Sequence, residues 1–393
     1  KFLSRSLQQR GDETVLLSQL PHGVSNSPQA HCAVNVRCAF LMKGKKQTRM
    51  GRYMRLLAVG GPLSFAAFLL AACVSAGPHA DVAAYAPETA PEWSIVWFDD
   101  FDGAILDRAK WVPEESCWGG GNNERQCYTG RPENIQVSDG VLRLIALKED
   151  FEGPLLADQH GGEQTTKAYT SGKVRTRGLA DWTYGRFSAR IKLPDGQGTW
   201  PAFWMMPSSS TYGRWPLSGE IDIMEAVNLG TPCEDCVGGR ENRTSGAAHF
   251  GDVAPDNTYL FLKTDPISSE SPANQWRTYA LEWADGQMQW LVDGKVFMRL
   301  TREDWYTAAP NAANRPSAPF DQPFFLMLNL AVGGNLPEKS NGMGFDPKSF
   351  PAELLVDWVR VEQCRGDEAS GRACLDTQKW NGKPQGPWET QAR

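Results

Sequence analysis

From Trp93 onward the chain alternates apolar and polar residues in short runs. The clearest are Ser94–Phe98, Val141–Leu147, Gly172–Arg177, Gly185–Leu193, Ala202–Met206, Glu220–Val227, Ser245–Phe250, Trp276–Trp283, Met288–Val292, Lys295–Leu300, Phe324–Leu330 and Leu354–Glu362. A period of two places successive side chains on opposite faces, which predicts β-strands. Gly, Pro, Asn and Asp punctuate the runs, and Asp293-Gly294 between two of them is a two-residue hairpin signal. Helical periodicity is scarce, and Arg302–Ala309 predicts one short helix. Many short strands without helical crossovers predict an all-β antiparallel sandwich or barrel. No internal repeat interrupts the series.

One run carries unusual chemistry. Gly219-Glu220-Ile221-Asp222-Ile223-Met224-Glu225 places three carboxylates within six residues, spaced by Ile, Ile and Met. In a regular strand Glu220 and Asp222 share a face and Glu225 takes the other. A β-bulge adds one residue and brings all three to one face, and bulges are common beside active sites. Met224 is the expected inserted residue. Three acids on one face do not all stay ionised at neutral pH, since like charges raise at least one pKa. The arrangement suits two carboxyls of which one is a nucleophile and one an acid. A solvated acidic edge strand has the same alternation. Against it stand Trp200, Trp204, Trp215 and Pro216, which are not the flanks of an ordinary polar surface.

The acidic string, in its bulged form, closely resembles the signature of glycoside hydrolase family 16. The likeness continues in Asn122-Asn123-Glu124-Arg125-Gln126 with Tyr128-Thr129, and in Arg131-Pro132-Glu133-Asn134. Tyr169-Thr170-Ser171-Gly172, Tyr184-Gly185-Arg186-Phe187 and Gly198-Thr199-Trp200-Pro201-Ala202-Phe203-Trp204-Met205 follow. Pro323-Phe324-Phe325-Leu326, Ala331-Val332-Gly333-Gly334-Asn335 and Val356-Asp357-Trp358-Val359-Arg360-Val361 complete it. The series runs in family order from about Trp93 to about Gln363 and is most similar to the bacterial laminarinases, endo-β-1,3-glucanases.

The resemblance implies a β-jelly roll with a substrate cleft across its concave sheet. It implies retaining endo-hydrolysis of β-1,3-glucosidic bonds, with Glu220 as nucleophile, Glu225 as acid/base and Asp222 between them. Spacing alone does not assign these roles. Aromatic platforms for sugar rings are expected at Trp118, Trp200, Trp204 and Trp215, with core packing as the competing role for Trp204. Asn123, Glu124, Gln126, Arg175 and Asn335 are expected to bond hydroxyls, and His249 lies where laminarinases carry a cleft histidine. A packed structural histidine is the competing reading there. Leu336 stands where the family usually has Trp, so one stacking subsite is in question. No cofactor is required for the chemistry. A structural calcium is expected from Asp100, the Gly103 carbonyl and Asp357, against an ion-pair role for the same acids. Mixed-linkage β-glucan or marine galactan hydrolysis, and glycan binding without catalysis, are the competing functions. The retention of all three acids argues against the last.

Composition adds bounds. The chain is 41% hydrophobic and 22% charged with a net charge of -6. That balance argues against a nucleic-acid partner and is compatible with a neutral polysaccharide. All 15 Trp lie at Trp93 or later, which favours one catalytic domain over residues 93–365, expected as a monomer. Residues 1–49 lack periodicity and are expected to lie upstream of the natural start. In 50–73 a basic stretch precedes an apolar run, the form of an export signal. It ends in Leu70-Ala71-Ala72-Cys73, which resembles a bacterial lipobox and implies lipidation at Cys73 and a place in the cell envelope. A plain secretory signal is the alternative. Residues 74–92 read as a flexible tether and 366–393 as a polar extension. Six of the nine Cys (Cys117, Cys127, Cys233, Cys236, Cys364 and Cys374) form three sequence-local pairs, as expected of disulfide staples in an oxidising compartment.

Overall fold

The computed structural model describes residues 90–157, 159, 161–265, 272–375, 382–384 and 386. The leader, signal, Cys73 and most of the tether lie outside the described residues, as does much of the C-terminal extension. Among the described residues no helix is long and apolar enough to cross a membrane.

Among the described residues seventeen strands follow in chain order. They are β1 (Glu92–Asp99), β2 (Val112–Pro113), β3 (Gln126–Tyr128), β4 (Ile135–Ser138), β5 (Val141–Pro154) and β6 (Gln164–Ser171). Then come β7 (Lys173–Arg175), β8 (Gly185–Lys192), β9 (Thr199–Pro207), β10 (Glu220–Glu225), β11 (Ser245–Gly251) and β12 (Asn257–Lys263). The last are β13 (Trp276–Ala284), β14 (Gln287–Val292), β15 (Lys295–Thr301), β16 (Phe324–Val332) and β17 (Ala352–Arg365). They build two sheets. One has ten strands, in the order β15-β14-β13-β8-β17-β5-β6-β3, with β1 on β17 and β4 on β5. The other has seven, in the order β12-β11-β10-β9-β16-β7-β2. Among the described residues every pairing between these strands is antiparallel except the short β3–β6 contact. This is the expected antiparallel jelly-roll sandwich. Asp293-Gly294 closes the β14–β15 hairpin with both φ angles positive, as a type I′ turn requires.

The inner faces of the two sheets bury Trp283, Trp290, Tyr279, Phe187, Phe203 and Phe324 almost completely. Alternation places these residues inward and leaves the opposite face of the seven-stranded sheet free for polar chemistry. The disulfides Cys117–Cys127, Cys233–Cys236 and Cys364–Cys374 staple loops as expected.

One expectation is corrected. Arg302–Ala309 is not helical; it is a turn and irregular backbone, and the α-helix among the described residues is Asn335–Ser340, α1. The reason is tertiary. Trp305 is drawn into the core edge-on to Phe320, 5.3 Å between centroids, and an isolated two-turn helix has little stability to resist that pull. Strands β2, β3, β4, β6 and β12 lie outside the runs predicted from alternation; much of β6 and β12 is exposed or half-buried and lacks a clean apolar alternation.

Candidate active site

Strand β10 lies between β9 and β11 in the seven-stranded sheet. Glu220 pairs with His249, and Asp222 faces Ala247 on β11 and Trp204 on β9. The register then slips, so that Glu225 faces Ser245 on one side and Ala202 on the other. This is the expected bulge. Met224 keeps a partner, Phe203, and Ile223 is the position passed over on the β9 side. Ile221, Ile223 and Met224 are all buried, the last two as consecutive residues on the core side. Glu220, Asp222 and Glu225 therefore share the outer face.

The opposite sheet holds the bulge in place. Trp290 of β14 donates from Nε1 to the Asp222 carbonyl at 2.9 Å, where the ladder is interrupted. The ring reaches that point because Gly246 offers no side chain; a Cβ there would lie 2.4 Å from Trp290 Cδ1.

Glu220 and Glu225 each have an indole donor. Trp215 Nε1 donates to Glu220 Oε2 at 2.6 Å, and Trp200 Nε1 to Glu225 Oε1 at 2.9 Å. His249 Nε2 stands 3.2 Å from Asp222 Oδ2, and its ring stacks on Tyr259 with centroids 5.0 Å apart. These surroundings separate the acids. Burial raises the Glu220 carboxyl above its ordinary value, while His249 and the Trp215 bond pull it back. Burial and the Asp222 charge push Glu225 up to about 7, against the Trp200 bond. Burial and Glu220 raise Asp222 to about 6. Burial opposes the His249 cation, but Glu220 and Asp222 outweigh it and hold the imidazole at about 9. An imidazolium thus faces the head of the strand, and Glu225 at its other end keeps a proton near neutrality.

Beside the acids runs a groove of about 420 Å³, lined among others by Trp118, Trp204, Trp215, Arg175, Met206 and Met327. Trp118 and Trp215 are 47% and 42% exposed, so both rings are available to a ligand. Trp200 and Trp204 are half-buried on the acid-bearing face of β9, which excludes the core role weighed for Trp204. Trp204 is fixed from below by its Nε1 bond to Asn329 Oδ1 at 2.7 Å, and Asn329 donates in turn to the Tyr128 hydroxyl at 2.9 Å. Glu124 belongs to this support, buried and bonded by Gln126 at 2.7 Å rather than open to solvent. Arg175 lines the groove while almost fully buried, tied to Glu114 at 3.1 Å; Lys173 shares that carboxylate and lies 4.8 Å over the Trp204 ring. Asn123 and Asn335 bond each other at 3.1 Å on a rim where Arg125 also grips Glu338. Leu336 sits half-buried in α1 on that rim.

Asn329, Lys173 and Glu114 were not singled out from sequence. Asn329 is the lone polar residue in an apolar strand, a signal that was available. Glu114 precedes the recognisable motifs and carried none. The acids expected at a calcium lie where β1 pairs with β17, Asp99 facing Val359. Asp357 there takes an ion pair from the Arg190 guanidinium at 2.6 Å, and Asp100 is exposed.

Comparisons with known proteins agree with this layout. The sequence profile described as glycosyl hydrolases family 16 matches residues 122–359. The glucan endo-1,3-beta-glucosidase A1 of Niallia circulans is 37% identical over 276 residues, covering 68% of this chain and 37% of that protein. The beta-glucanase of Rhodothermus marinus is 38% identical over 278 residues, covering 70% of this chain and 86% of the relative. The X-ray structure of the laminarinase from Rhodothermus marinus superposes with a TM-score of 0.56 at 36% identity, covering 70% of this chain and 98% of that one.

Proposed function

The chain belongs to glycosyl hydrolase family 16, and from that premise we propose that it cleaves internal β-1,3-glucosidic bonds of laminarin-type glucans with retention of configuration. The observation that carries this reading is the division of labour among the acids on β10. Glu220 accepts an indole N–H and faces an imidazolium, both of which favour its ionised form. Glu225 is held near pH 7, where a carboxylic acid both keeps and releases its proton.

In the first step the Glu220 carboxylate attacks the anomeric carbon while Glu225 gives its proton to the departing glycosidic oxygen. The products are a glycosyl-enzyme ester and a shortened glucan. In the second step the Glu225 carboxylate takes a proton from water, which attacks the same carbon and frees Glu220. Asp222 lies between the two and raises the pKa of Glu225 through its charge. The His249 cation offsets part of the negative charge of the cluster. Sugar rings stack on Trp118, Trp204 and Trp215 through their C–H faces. The bulged strand and the Asn122–Thr129 segment favour β-1,3-glucan over mixed-linkage glucan or galactan.

The same proposal places the protein in a bacterial envelope, held by a lipid on Cys73. Its mature N-terminus should then carry an acylated cysteine by mass spectrometry. The activity is tested by product analysis on laminarin, lichenan, agarose and carrageenan, with Glu220→Gln alongside. Oligosaccharide release from laminarin by the unaltered protein alone is the expected result. Binding of laminarin without release from any substrate would refute the reading.

A further inference from the structure

The head of β10 has the makings of a metal site. Glu220, Asp222 and His249 come from adjacent strands, and one donor atom of each lies within 4.8 Å of the other two. His249 Nε2 and Asp222 Oδ2 are 3.2 Å apart. Two donors ~2.0–2.2 Å from a zinc ion at a near-tetrahedral angle stand ~3.4 Å apart, so this pair already has the spacing of one edge of the coordination sphere. An independent observation points the same way. Asp222 is 3% exposed, and its Oδ2 has no hydrogen-bond partner; the 3.2 Å approach of His249 is a charge contact, not an aligned hydrogen bond. That buried oxygen faces the imidazole nitrogen, and only the charge of His249 compensates it.

We propose that Glu220, Asp222 and His249 bind one divalent transition ion of the zinc class, and that the ion silences the enzyme reversibly. One imidazole and two carboxylates suit borderline ions such as Zn²⁺, whereas Mg²⁺ requires a near-ideal octahedron of oxygens. A fourth position would be taken by water. The exchange balances simply. His249 gives its Nε2 proton to solvent, its lone pair and one oxygen of each carboxylate take the ion, and two negative charges meet two positive ones. An ion held there occupies the electron pair with which Glu220 would attack carbon. Binding rests on the geometry alone; the silencing rests on the function proposed above.

Titration calorimetry of the full chain with zinc chloride tests the site, with magnesium chloride as the hard-ion comparison. His249→Gln and Asp222→Asn serve as variants, their folding checked by circular dichroism. The Cys233–Cys236 loop and the other histidines are common to all three proteins and cancel. The expected result is one zinc site more in the unaltered protein, weakened at least tenfold in either folded variant, absent with magnesium and displaced by saturating laminari-oligosaccharide. Laminarin hydrolysis should fall in step with occupancy and return on chelation. Equal zinc binding by all three proteins would overturn the site. Occupancy without loss of turnover would overturn the silencing. Zinc binding by a protein that hydrolyses nothing even after chelation would support the site and refute the hydrolase reading separately.

Discussion

Trp200→Phe isolates the control of the acid/base. The indole N–H of Trp200 donates to Glu225 Oε1 at 2.9 Å and favours the charged carboxylate. Phenylalanine keeps an aromatic ring on the groove face and removes the donor. A hydrogen bond to a charged group contributes about 1.5–3 kcal/mol, and one pKa unit corresponds to about 1.4 kcal/mol. Water can replace part of the lost bond at this half-buried position, so the expected change is the lower limit, about one unit upward. Glu225 must be protonated to act as acid. Activity is therefore present below its pKa and lost as pH rises through about 7. In the variant the alkaline limb of kcat/KM should move up by about one unit, while the acid limb, set by ionisation of Glu220, stays in place. The assay is reducing-sugar release from laminarin between about pH 4 and pH 9. An alkaline limb that stays put or moves down would refute the claim that Trp200 tunes Glu225.

Asp222→Asn should move the same limb the other way, below about 7, because it removes the charge that raises Glu225; an upward shift on the same pH scan would contradict the coupling. Glu220→Gln and Glu225→Gln should each abolish nearly all turnover with an unchanged circular dichroism spectrum, and substantial remaining hydrolysis would count against the assignments. Gly246→Ala drives a methyl group to 2.4 Å from Trp290 Cδ1, so the ring must leave the Asp222 carbonyl or the strands must part. The expected cost is about 1–3 kcal/mol of stability, read as a Tm lower by several degrees, together with reduced kcat. Replacing both Cys117 and Cys127 with Ser opens a loop with a sequence separation of 10. A loss of about 2–3 kcal/mol in denaturant unfolding is expected from the chain-entropy account.

Strand alternation made most of the sandwich legible, since a buried inner face writes a period of two into the chain. The catalytic strand was legible for a stronger reason: acids spaced by Ile and Met satisfy two opposed environments at once. What escaped depended on tertiary partners. Ile223 and Met224 are both apolar and both buried, so nothing local says which one loses its partner in the ladder. Glu124 reads as a hydroxyl ligand until Gln126 and Tyr128 are seen to turn it inward. Arg302–Ala309 reads as a helix until Trp305 is seen in the core.

The irregularity in β10 also constrains how this stretch can change length. Five steps along β10, from Glu220 to Glu225, run against four along β11, from His249 to Ser245. The offset between the two acids is odd, and the slip makes it behave as even. Deleting one residue between Asp222 and Glu225 would leave the acids at every second position of a plain strand. They would still share a face and still span four steps. Inserting one would also restore even parity, but would carry the proton donor two positions farther along, ~6.6 Å. A carboxyl pair that must close to ~5–5.5 Å has no room for that displacement. Length variation here is one-sided: the strand can shed a residue and keep its chemistry in reach, but it cannot gain one.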